Sequence, residues 1–183
     1  MTVSISGTGG VTFPDNSVQA TAATGLSKRF NEAFEYKGGK LFWKVSNTNA
    51  VKIGQEIGTE YARGYRRVSF DGKIYAVHRV IWAMFHGEPK KEIHIDHING
   101  DAADNRIENL RLATGSQNCC NRRMRANNSG VKNVSFVKQS QKYRVALQVN
   151  KSRKFLGYYE DLELAELVAL EARNKYHGAF ARS

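Results

Sequence analysis

At 183 residues, with 28 Lys and Arg against 17 Asp and Glu, the chain carries a net charge of +11 and an isoelectric point of about 9.8, a balance suited to a polyanionic partner. Its two cysteines, Cys119 and Cys120, are adjacent, which excludes a disulfide framework and a Cys-x-x-Cys zinc knuckle; a reducing cytosol is implied and no structural zinc is expected. No apolar run reaches the roughly 18–20 residues of a membrane span, and the N-terminus lacks the basic-then-apolar pattern of a signal peptide, so a soluble, cytoplasmic protein is expected.

Residues 1–25 are rich in Gly, Ser, Thr and Ala and contain no Lys or Arg, the composition of a flexible arm. Within them Val11-Thr-Phe-Pro-Asp-Asn-Ser-Val-Gln-Ala-Thr21 resembles a short segment common in phage tail-fibre proteins, which would fit a reading frame continuous with an interrupted host gene. From Leu26 the pattern changes to short strands with turn signals. A helix is predicted over Ser27–Glu35, a hairpin around Lys37-Gly-Gly-Lys40, and strands over Leu41–Val45, Tyr65–Phe70 and Lys73–Val77, the last two joined by Asp71-Gly72. His78–His86 reads as a helix closed by Gly87, apolar at Val80, Ile81, Met84 and Phe85. Arg63, Arg66 and Arg67 offer phosphate contacts or simply a solvated face.

The stretch Glu92-Ile-His-Ile-Asp-His-Ile-Asn-Gly-Asp101, continuing through Asp104-Asn-Arg-Ile-Glu-Asn-Leu-Arg111 to Gln117-Asn-Cys-Cys-Asn121, gathers a carboxylate, an imidazole and spaced amides. That is the inventory of a one-metal phosphodiesterase: a hard divalent cation takes oxygen ligands from Asp and Asn, and a neutral His beside it can draw a proton from water. Ile93–Asp96 is predicted as a strand, 97–109 as a tight loop around Asn99-Gly100, and Leu110–Ala113 as a returning strand. Thr114-Gly-Ser-Gln117 has the form of a capping box, so a helix carrying Asn118 begins there. Neighbours in a strand point to opposite faces, so Asp96 and His97 can serve one phosphate only if the strand ends or bends between them and the Asn99-Gly100 turn. Asp104-Asn105 reads as a turn or helix cap; His94 and His78 stay open between a structural role and a place in the site.

In these residues the chain resembles the HNH endonucleases of bacteriophage and mobile introns. The resemblance implies a ββα-metal unit over roughly 90–125, with His97 as general base, Asp96 and Asn118 as metal ligands, and Asn109 bracing the loop and orienting the histidine. It also implies Mg²⁺ as the cation, with Mn²⁺ as a substitute, and hydrolysis to a 5′-phosphate and a 3′-hydroxyl. The first position of the motif reads Asp-His rather than His-His.

Charge concentrates toward the C-terminus: net +3 over 1–121 and +8 over 122–183. Arg122, Arg123 and Arg125 follow the helix of Asn118, where they could track a DNA backbone or serve as a polar linker. Beyond them Val131–Val137, Tyr143–Val149 and Lys154–Tyr159 read as strands, with Asn150–Arg153 as a hairpin turn. Asp161 can cap a helix presenting Leu164, Leu167, Val168 and Ala172 and ending near His177-Gly178. Three strands would pack their apolar face on that helix and expose Arg144, Gln148, Arg153 and Lys154, residue types that can reach base edges and phosphates. Gly130-Val131, Tyr143-Arg144-Val-Ala146, Phe155-Leu-Gly-Tyr-Tyr159 and Ala165…Ala169…Ala172 resemble the plant ethylene-response-type DNA-binding domain.

The fold class expected is therefore α+β, with an arm over 1–25, an HNH nuclease domain over 26–126 and a DNA-binding domain over 127–183. The expected function is sequence-selective, Mg²⁺-dependent cutting of double-stranded DNA by a phage homing endonuclease in the bacterial cytoplasm, as monomer or homodimer. The alternatives are a DNA-binding regulator with a decayed nuclease site and a nonspecific phage nuclease.

Overall fold

Phe30 and Ala33 share one face of α1 (Gly25–Ala33) and turn it onto α2 (Val77–His86), where Ser27 Oγ donates to Ala83 O at 2.6 Å. The computed structural model describes residues 10–12, 18–20, 25–46, 51–121, 126–150 and 152–181. The chain divides into two compact units, Met1–Leu112 and Ala113–Ser183.

In the segment expected to be an arm, β1 (Gly10–Thr12) pairs antiparallel with β2 (Val18–Ala20); the rest of 1–24 lies outside the described residues. After α1 the chain turns directly into β3 (Phe34–Lys37), β4 (Lys40–Trp43) and β5 (Glu56–Ile57), a three-stranded sheet in that order. The helix predicted to reach Glu35 stops at Ala33 because Phe34 and Glu35 pair with Trp43 and Phe42. A second sheet follows: β6 (Thr59–Ala62), β7 (Tyr65–Phe70) and β8 (Lys73–Ala76). Asp71 and Gly72 both take positive φ, 49° and 72°, the two-residue hairpin geometry that Asp-Gly favours. The core gathers Phe30, Phe34, Leu41, Val68, Phe70, Val80 and Ile81; Phe34 meets Phe30 and Phe70 at ring-centroid distances of 5.9 and 5.1 Å.

α2 ends at Gly87 (φ 77°), and the chain enters β9 (His94–His97), which pairs with β10 (Leu110–Ala113). Ile95 and Leu110 anchor this pair in the same core. Two glycine turns press on the loop between the strands. A Cβ on Gly39 (φ 87°) would lie 2.9 Å from Arg106 N, and one on Gly64 (φ 86°) 3.3 Å from Ala103 N; only glycine lets these backbones approach so closely.

In the second unit, α3 (Gly115–Cys120) starts from the capping box read in the sequence: Thr114 Oγ1 accepts from Gln117 N and Gln117 Oε1 accepts from Thr114 N. α3 contacts the 3-10 turn Gly178–Phe180, and Lys132 Nζ donates to Cys120 O. These contacts lie within the second unit. β11 (Val134–Val137), β12 (Lys142–Val149) and β13 (Ser152–Tyr159) form an antiparallel sheet against α4 (Leu162–His177), which Asp161 caps through Leu164 N. β11 begins at Val134 rather than Val131, because Asn127 and Ser129 side chains tie 127–134 into a knot of local hydrogen bonds. The helix face against the sheet also differs from expectation. Ala165, Ala169 and Ala172 are buried, whereas Leu164 and Leu167 are about half exposed, since small side chains let α4 lie close on Val134 and Val145. No described helix is long and apolar enough to cross a membrane. The whole is α+β.

Candidate active site

β9 delivers Asp96 and His97 as its last two residues. The strand ends there because Gly100 (φ 63°) turns the chain back and its N–H donates to His97 O at 2.8 Å. The two side chains therefore meet different neighbours. Asp96 faces the paired strand, where Arg111 Nε and Nη2 both reach Oδ2 at 2.8 Å. Both side chains are largely shielded, so this is a charge-assisted fork that fixes the carboxylate.

His97 turns the other way. Its ring lies 5.8 Å from that of Tyr65 and 5.2 Å from that of His78, near perpendicular to each, and its Nε2 is 3.0 Å from Asn105 Oδ1. Both His97 and Asn105 are 3% exposed. Asn109, expected to brace the loop and orient the histidine, makes its hydrogen bonds to the loop. Its Oδ1 accepts from Asn99 N, and its Nδ2 donates to Asn99 Oδ1 and to Asp104 O at 2.7 Å. Asp104 in turn accepts from Asn99 Nδ2 and from the Arg106 fork. Arg106 holds the Asp104 carboxyl down to about 2, so the loop stays braced through ordinary pH.

Burial, then the neighbouring His97 and Arg79, pushes His78 down from 6.5 to about 3. The folded protein therefore keeps His78 neutral where an unfolded chain would protonate it. Above pH 6.5 both states are neutral; as pH falls from 6.5 toward 3 only the unfolded chain gains the proton, so stability drops across that window by on the order of a few kcal/mol. Melting temperatures of the wild type and His78→Gln between pH 7 and 4 check this: the variant should show a flatter acid limb. Parallel curves would exclude His78 as the source.

Asn118 sits on α3 in the second unit, half-buried, one turn from its cap. Among the described residues no three of His, Cys, Asp and Glu form a metal-binding group, and Cys119 and Cys120 are free thiols. A carboxylate such as that of Asp96 and an amide oxygen such as that of Asn118 are each the kind of donor a hard divalent cation takes.

Arg122, Arg123 and Arg125 lie outside the described residues. Arg144, Gln148 and Arg153 share the sheet face away from α4, with Gln148 opposite Arg153 and Arg144 opposite Tyr158. Lys154 does not join them. Strand alternation pairs it with buried Leu147, and its ammonium lies 4.3 Å from the Tyr176 ring of α4. The sequence reading missed two aromatics on the outer face. Phe155 and Tyr158 are 51% and 52% exposed with rings 5.2 Å apart, and the Arg144 guanidinium lies 5.8 Å from the Phe155 centroid. The register shift after Val145 brings Phe155 opposite Ala146, and no periodicity announces it. Of the arginines on β7, Arg66 is bound internally to Glu56 and Gly58 O, while Arg67 lies over exposed Tyr61.

Residues 75–119 match the HNH endonuclease family. The chain is 31% identical over 108 residues to Protein 3.8 of Escherichia phage T7, spanning 57% of this chain and 87% of that protein. It is 36% identical over 69 residues to an uncharacterized HNH endonuclease of Acanthamoeba polyphaga mimivirus, 37% of each chain. A second such mimivirus protein is 32% identical over 91 residues, 48% of this chain and 23% of that one; the chain thus spans well under half the length of these two relatives. No solved structure matches it. With the matched segment holding β9, the braced loop, β10 and most of α3, and with the phage relative covered over most of its length, the chain belongs to the HNH endonucleases.

Proposed function

We propose that this nuclease cuts double-stranded DNA by metal-dependent hydrolysis, leaving 5′-phosphate and 3′-hydroxyl ends, and that it does so site-selectively as a phage homing endonuclease acting in the bacterial cytoplasm. The observation that carries the reading is the pair Asp96 and His97 at the end of β9, each held by its own partner, Arg111 and Asn105. Asp96 and Asn118 would hold Mg²⁺, or Mn²⁺ in its place; when bound, the cation supplies charge neutralisation for the phosphate and the departing 3′ oxygen.

His97 performs the proton transfer. With Nε2 engaged by Asn105, the basic lone pair of the neutral ring lies on Nδ1, which takes a proton from the water that attacks phosphorus in line with the 3′ oxygen. Arg111 keeps the Asp96 carboxylate in one orientation, and the Asn109 network keeps the loop from collapsing onto the site. In the second unit, the outer sheet face places a cation, two aromatics and two further hydrogen-bonding side chains, Gln148 and Arg153, on one surface, a combination that serves phosphate contact and base-edge readout. The net charge of +8 over residues 122–183 supports the same division of labour.

Incubation of the purified chain with supercoiled plasmid, with Mg²⁺ and with EDTA, tests the reading. Relaxed or linear product that requires the metal and carries ligatable 5′-phosphates is the expected result. DNA binding without cutting would point to a regulator built on a decayed site, and cuts mapped at random positions would remove the selectivity.

A further inference from the structure

We infer that Asn105 is a positioning residue for His97: its amide oxygen selects the ring tautomer with the proton on Nε2 and so commits Nδ1 to receiving the proton from water. The inference rests on reading His97 as the general base, but its central claim, the tautomer, can be measured without cleavage. Asn105 Oδ1 lies 3.0 Å from His97 Nε2, and the orientation of the amide follows from its other end, where Nδ2 faces Ala103 O at 3.4 Å. An amide oxygen has no proton to give, so the ring nitrogen facing it must be the donor. The opposite tautomer would set two lone pairs against each other in a place where both residues are 3% exposed and water cannot relieve them.

The remaining freedom of the ring is taken up by its walls. Tyr65 and His78 meet it at interplanar angles of 70° and 67°, which fixes the ring plane; the amide then decides which edge faces the loop. Asn105 is itself set by the loop, whose backbone is tied one residue earlier by Asn109 Nδ2 to Asp104 O at 2.7 Å. Asn109 thus acts on the histidine at one remove. Loss of Asn109 should loosen the whole loop, whereas loss of Asn105 should change His97 alone.

The experiment uses the full chain labelled with ¹⁵N-histidine. A long-range ¹H–¹⁵N correlation spectrum at mildly alkaline pH, with the His97 signals assigned by their absence from His97→Gln, should show the proton on Nε2 in the wild type. Asn105→Ala should show a mixture of tautomers, and Asn105→Asp, which keeps an acceptor oxygen, should retain Nε2–H. On plasmid, Asn105→Ala should lower kcat by about 10–100-fold with KM nearly unchanged, and its melting temperature should fall, since the buried Nε2–H loses its acceptor. A His97 that stays wholly on Nε2–H in Asn105→Ala, or that carries its proton on Nδ1 in the wild type or in Asn105→Asp, overturns the inference. Should His97→Ala cut normally, the base assignment falls by itself, while the spectra still decide what Asn105 does to the ring.

Discussion

His97→Ala should cut plasmid about 10²–10⁴-fold more slowly than the wild type, the usual loss when a general base is removed, while binding DNA with nearly unchanged affinity. The expectation of unchanged affinity follows from where His97 sits: it is buried against Tyr65, His78 and Asn105 and lies apart in sequence from the basic C-terminal segment. Single-turnover cleavage beside a binding isotherm separates the two effects. Because the ring packs against His78, His97→Gln is the companion variant, filling more of the space without supplying a base. Cutting at near wild-type rate by both would remove His97 from the mechanism. A loss confined to affinity would instead make it a DNA contact.

The parts of this molecule that could be read from sequence are those fixed by local chemistry. The capping box at Thr114 and Gln117, the Asp71-Gly72 turn, the Asp161 cap and the end of α2 at Gly87 all appear as expected, because a side chain and a backbone group a few residues apart decide them. The spacing of Asp96, His97 and Asn109 likewise pointed to one strand and its loop; Asp96 and His97 end β9 and meet different partners, Arg111 and Asn105, while Asn109 bonds within the loop. What could not be read is pairing at a distance. Arg111 meets Asp96 only through the register of β9 on β10, and Asn105 meets His97 only because the loop folds back over eight residues; as part of Asp104-Asn105 it looked like a turn residue. Lys154 was placed on the wrong face because strand parity depends on where the hairpin turns, and Ser152 rather than Lys154 opens the strand. On α4 the spacing of leucines suggests the buried face, yet a helix lying close on a sheet buries its alanines.

Asp96→Asn should abolish metal-supported turnover with only a small change in stability, and the contrast with Asp96→Ala is informative. The asparagine keeps an oxygen for the Arg111 fork but removes the charge that a divalent cation requires. The alanine does more damage, because it strands the Arg111 guanidinium in a shielded place, and breaking a buried ion pair from one side costs about 3–5 kcal/mol. Its loss of cutting would therefore mix catalysis with unfolding, which Asp96→Asn avoids. Arg111→Ala gives the reverse case: the carboxylate remains but loses the partner that fixes it. If Asp96 binds the cation, Mg²⁺ should raise the melting temperature of Arg111→Ala more than that of the wild type, since bound metal replaces the missing positive charge. Asn118→Ala removes a neutral ligand, so its cutting should weaken and recover in part with excess Mg²⁺. Near-normal turnover in Asp96→Asn, or an Arg111→Ala protein whose melting ignores Mg²⁺, would show that Asp96 serves the fold through its ion pair and that the cation is held elsewhere.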